Sequence, residues 1–112
     1  MKFREYGTDV EKDRLVTSED INERISAVKE GYGLDVLIND ENKEVREAIV
    51  SHKRPHDLEI LIDDEAWEVR LAVAQCTAKA KDLALLSFDE NADVRAAANL
   101  KMQQRRKIAE RA

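Results

Sequence analysis

The sequence predicts an all-α protein: a small α-solenoid of about four stacked two-helix repeats, each pairing a short helix or 3₁₀ turn with a longer α-helix. Three observations carry this. The chain of 112 residues holds only three glycines and one proline, too few for the turns of an all-β domain. Its apolar residues recur three and four positions apart, the spacing of one helix face. A segment running from a leucine through Asp-Glu to Val-Arg and Ala returns three times, its copies 24 and 25 residues apart, after a weaker copy 22 residues earlier.

The three strong copies are Leu37–Ala48, Leu61–Ala72 and Leu86–Ala97, and the degenerate one runs from Leu15 through Ser18 to Arg24. They divide a single domain, 1–112, into units at about 12–33, 34–57, 58–82 and 83–105, with 101–112 as a C-terminal helical cap. In the short segments Leu34, Leu37 and Ile38 correspond to Leu58, Leu61 and Ile62 and to Leu83, Leu85 and Leu86. Asp57 and Asp82, just ahead of Leu58 and Leu83, are the expected N-caps, and Gly31, Gly33 and Pro55 break the chain between units. In the longer helices the buried face reads Val45, Ala48, Ile49 and His52, then Val69, Ala72, Val73 and Cys76, then Val94, Ala97 and Ala98. A unit of about 24 residues cannot bury such a stripe alone, so its copies are expected to stack, with alanines allowing close approach.

Asp40, Asp64 and Asp89 fall in the turn before each longer helix, where a carboxylate caps free backbone N–H groups. Arg46, Arg70 and Arg95 follow six residues later. An arginine near a helix start is poorly placed for the dipole, so each is expected to reach back to turn carboxylates or carbonyls, including those of the adjacent unit. These six residues read as a structural ladder.

The pattern Asp-x-x-x-x-Val-Arg-x-Ala-Val-Ala, complete at Asp64–Ala74, resembles HEAT-type repeats, and the period of about 24 resembles the leucine-rich repeat variant family. The segment Gly31–Asp40 is similar to short repeat units of bacterial and phage proteins. The resemblance spans residue 12 to about residue 100. It implies a right-handed solenoid of α and 3₁₀ helices with a binding role, and it brings no catalytic residue and no cofactor. One founding type of the variant family carries an N-terminal iron–sulfur cluster held by cysteines, which this chain, with Cys76 as its single cysteine, does not match.

No apolar run approaches the roughly 18–20 residues that span a bilayer, and Met1–Glu5 does not read as a signal peptide, so a cytoplasmic protein without membrane contact is expected. A metal at Asp63-Asp64-Glu65 would need several oxygens in a fixed geometry that nothing here imposes. His52 and His56 flank Pro55, so zinc ligation on a shared face is not expected, and Cys76 reads as a small buried hydrophobe. Trp67, in the first turn of its helix, is expected to be at least half exposed and to form a patch with Leu71. Stacked acidic turns would add a negative ridge, and Trp67, Leu71, Asp64, Glu65, Glu68 and Glu44 are the candidate partner-binding residues. Residues 101–112 hold five bases and one acid, in a chain whose net charge is −5. Lys101, Arg105, Arg106, Lys107 and Arg111 either complement the dipole of the last helix or contact nucleic acid. The resulting expectation is a non-catalytic protein-interaction module of phage or mobile-element type. The alternatives are a nucleic-acid-binding HEAT-like protein and an acidic inhibitor that mimics nucleic acid.

Overall fold

The computed structural model describes residues 10–111. Among them are eight α-helices and no strand. The expectation for Met1–Glu5 lies outside the described residues. The chain divides into two compact units, one ending at His52 and the other beginning at Lys53.

The first unit contains α1 (Val10–Val16), α2 (Ile21–Lys29), α3 (Leu34–Leu37) and α4 (Lys43–Val50). Helix α2 packs against α1, α3 and α4, and α3 also contacts α4. Ala27, Val28, Leu34, Leu37, Ile38, Val45, Ile49 and Val50 make the core. Helix α2 ends in a Schellman motif, with Gly31 N–H donating to Val28 O (2.8 Å) and Tyr32 N–H to Ala27 O (2.9 Å). That geometry places Gly31 at φ +76°, a left-handed conformation glycine adopts without a Cβ clash. Gly33, at φ +72°, has a second reason to be glycine, because a Cβ there would sit 2.6 Å from Val16 Cγ2. Helix α4 stops at Val50, so His52 lies beyond it, half-buried, with Nε2 2.6 Å from Val28 O.

The second unit contains α5 (Pro55–Leu61), α6 (Trp67–Cys76), α7 (Ala80–Leu86) and α8 (Ala92–Arg111). Helix α6 contacts the other three, and α7 also lies on α8. Leu58, Leu61, Ile62, Val69, Val73, Ala74, Leu83, Leu86, Val94 and Ala98 are buried between them. The short elements α5 and α7 are seven-residue α-helices. Residues 101–111 continue α8 without interruption.

Asp57 and Asp82 are not the N-caps that the sequence suggests. Helices α5 and α7 begin earlier, with Arg54 and Lys79 in the cap positions, so both aspartates stand in the third helical position. Pro55 fixes the first helical φ of α5 and needs no N–H partner there. Asp57, 1% exposed, accepts from Arg54 Nε (2.6 Å) and Nη2 (3.1 Å). Asp82 accepts from Thr77 Oγ1 (3.0 Å), which itself accepts from Lys79 N–H (3.2 Å) and so ties the end of α6 to the start of α7.

Candidate functional site

The recurring arginines and aspartates meet in one repeated arrangement. In the first unit Arg24 Nη1 donates to Ser18 O (2.7 Å), while Nε and Nη2 donate to the two carboxylate oxygens of Asp40 at 2.7 and 3.2 Å. In the second unit Arg70 Nη1 donates to Asp64 O (2.7 Å), and Nε and Nη2 grip Asp89 at 2.7 and 3.1 Å. Arg46 Nη1 reaches Asp40 O (2.6 Å), and Arg95 Nη1 reaches Asp89 O (2.8 Å). One edge of the guanidinium therefore binds the turn six residues back, and in Arg24 and Arg70 the other edge holds the aspartate of the following copy. A planar group with five donors can do both at once, which a lysine ammonium cannot.

Arg24 is the ladder member that the sequence reading left out, although it stands 22 residues before Arg46 and six after Ser18. The turn aspartates also differ from their expected role. Asp40, Asp64 and Asp89 each accept from the N–H two residues on, at 2.9 Å, and so shape the turn ahead of the helix. The N-caps are Asn42 on α4 and Asn91 at the start of α8, which accept from Glu44 N–H and Asp93 N–H, each at 2.8 Å. The sequence signal was available, since an asparagine recurs two residues after the turn aspartate. Ala66 occupies that place before α6 and has no side chain to cap with.

The Arg70–Asp89 pair is nearly dry, with side chains 11% and 9% exposed. The hydrogen bonds from Arg70 hold the Asp89 carboxyl below its ordinary range, against the opposing effect of burial, and the Arg70 guanidinium is correspondingly harder to deprotonate.

The candidate partner-binding residues are less uniform than a ridge of free charge. Glu44 and Glu65 are exposed, Glu68 is half-buried, and Asp64 is half-buried and engaged in its turn. Trp67 is 36% exposed rather than half or more, and Leu71, one helical turn on, is half-buried. The greater part of this residue is therefore covered. Asp63 and Glu65 are exposed, and no cluster of three His, Cys, Asp or Glu side chains suited to a metal occurs among the described residues. His52 is half-buried in the first unit, His56 is exposed on α5, and Cys76 is half-buried at the end of α6.

Two surface features were not read from the sequence. An exposed aliphatic residue occupies the same repeat position in each strong copy: Val36 (65%), Ile60 (44%) and Leu85 (58%). The leucine spacing places Leu85 with the core, but its neighbours Leu83 and Leu86 take the buried positions of α7. The second feature is in the basic segment. Lys101 Nζ donates to Gln75 O (2.7 Å) and Arg105 Nη1 to Ala78 O, so these two cations serve the carbonyls at the C-terminal end of α6 rather than the dipole of their own helix. Arg106, Lys107 and Arg111 remain exposed.

No helix among the described residues is long and apolar enough to cross a membrane. Comparison with protein-family models, curated proteins and solved structures finds no match.

Proposed function

We propose that the chain is a non-catalytic protein-interaction module whose copies stack as a short α-solenoid of HEAT-like or leucine-rich-repeat-variant type. The observation that carries the binding role is the exposed aliphatic residue held at one repeat position, at Val36, Ile60 and Leu85. The neighbouring leucines already fill the buried positions of these short helices, so packing within each copy does not require an apolar residue there. Trp67 and Leu71 add a partly exposed apolar pair on α6. Stacking is supported by the ladder, which joins one copy's arginine to the next copy's aspartate within each unit.

The test compares affinity capture by the wild-type chain with capture by two double variants, Ile60→Ser/Leu85→Ser and Trp67→Ala/Leu71→Glu, each checked by circular dichroism for intact helix content. The proposal predicts that the first loses its partner. Unchanged capture by both folded variants would contradict it. The nucleic-acid reading draws less support, because Lys101 and Arg105 are engaged with backbone carbonyls. Mimicry of nucleic acid is weakened likewise, since Asp40 and Asp89 are neutralised by arginines instead of standing free.

A further inference from the structure

We infer that Arg95 is a preformed docking point for a carboxylate, and that the α8 face around it receives an acidic peptide segment of a partner protein. This deepens the interaction-module reading and rests on it. Arg24 and Arg70 show what this guanidinium does when complete: Nη1 is fixed on a turn carbonyl, and Nε with Nη2 holds a carboxylate through two parallel bonds. Arg95 repeats the first half, with Nη1 on Asp89 O at 2.8 Å. The nearest turn carboxylate, Asp89, is taken by Arg70, and no carboxylate among the described residues lies within ion-pair distance of Arg95. The fork is thus anchored on its turn carbonyl, and it has no ion-pair partner among the described residues, though the Asp89 carboxylate feels its charge. Half-buried and already anchored, it loses less side-chain freedom on binding than a free surface arginine.

The surroundings identify the occupant. Asn99, Met102 and Arg106 follow Arg95 by four, seven and eleven residues, which places them on one helix face. Asn99 stands where the earlier copies have Val50 and Ala74, which are 1% and 0% exposed, whereas Asn99 is exposed. The face is therefore polar where a further apolar repeat would need burial. A second copy of this chain fits poorly. Its first repeat offers Ser18 where the others offer aspartate, and two α8 helices would oppose their bases. Asp93 stands with Arg95 in the first turn of α8, but the helix as a whole carries six bases against Asp93 and Glu110, so a segment running along it from Arg95 toward Arg106 and Arg111 meets a positive surface, which favours an acidic partner. A phosphate backbone is a weaker candidate. The fork holds planar carboxylates elsewhere in the same chain, and α8 carries no aromatic residue on which a base could stack.

The test uses the full chain, labelled with ¹⁵N, and follows the Arg95 Nε–Hε signal by NMR. The probe is a helical peptide that opens with an Asp-Glu-Asn turn. Controls are the same peptide with Asn for the aspartate, and a single-stranded oligonucleotide. A saturable shift of that signal is expected with the acidic peptide and about tenfold weaker binding by the Asp→Asn peptide; Arg95→Lys, which keeps the charge and loses the fork and its Nε–Hε, is followed on the Asn99 backbone amide and should also bind about tenfold more weakly. Ile60→Ser/Leu85→Ser should leave this shift in place. No saturable shift at millimolar peptide, equal binding by folded Arg95→Lys, or tighter binding of the oligonucleotide would overturn the inference. If Arg95→Lys retains the captured partner that Ile60→Ser/Leu85→Ser loses, the interaction-module reading stands and this one fails.

Discussion

At the scale of single residues, the arginines of this chain are set apart from its other cations by where their nitrogens go. Arg70 bonds a carbonyl and a carboxylate while nearly dry, whereas Lys79 pairs with Glu59 at 3.3 Å with both side chains more than half exposed. Truncating one member of a buried pair strands the other, so Arg70→Ala should lower unfolding free energy by about 3 kcal/mol. Lys79→Ala should lower it by less than about 1 kcal/mol, since solvent screens that pair. Chemical unfolding of the two variants checks the difference, and equal midpoints would refute it. The pair also sets a pH response. Because the folded-state pKa of Asp89 is depressed, its contribution is complete above the ordinary carboxylate range and is lost as pH falls through the folded value. Asp89→Asn should therefore be less stable than wild type at neutral pH, and the gap should shrink in acid. Thermal unfolding at about pH 7 and about pH 3, either side of the carboxylate range, measures it; a gap that widens in acid would contradict the assignment.

At the scale of elements, helix ends distinguish copies that otherwise look alike. Asn42 caps α4 at φ −95°, ψ 125°, and Ala66 has nearly the same backbone, φ −90°, ψ 125°, without a cap. Ala66→Asn should stabilise the protein by about 1 kcal/mol, readable as a raised melting temperature; no change would mean that water already serves the α6 start. The turn between α2 and α3 makes a contrasting case. Gly31→Ala meets only an ordinary 3.8 Å contact and should cost about 1 kcal/mol for its left-handed φ. Gly33→Ala adds the collision with Val16 and should cost more, about 2–3 kcal/mol. Equal losses would show that Val16 moves aside freely. The misassigned starts of α5 and α7 belong to this scale too. An aspartate directly before a leucine resembles a cap, but in α5 the fixed φ of Pro55 sets the true start three residues earlier, and a seven-residue helix is too short for its apolar spacing to correct the error.

At the scale of the whole chain, what was legible followed from repetition. Val45, Val69 and Val94 recur in register and are all fully buried, so all-helical structure and the core could be read directly. The Asp and Arg spacing pointed to the turns because their bonds to the turn carbonyls span only six residues. Contacts that depend on distant partners were not legible: Lys101 and Arg105 bond carbonyls 26 and 27 residues away. Surface assignments within a short helix were equally hidden, since Leu85 and Leu86 are chemically identical and only packing decides which is buried. Trp67 is less exposed than its first-turn position suggests, because the covering of so large a side chain depends on packing that helix position does not reveal. The account rests most heavily on arginine and aspartate acting as one bond between successive copies. A double-mutant cycle of Arg70→Ala and Asp89→Ala, followed by urea unfolding, measures that bond directly. A coupling energy of about 2 kcal/mol is predicted, and losses that add to within about 0.5 kcal/mol would contradict it.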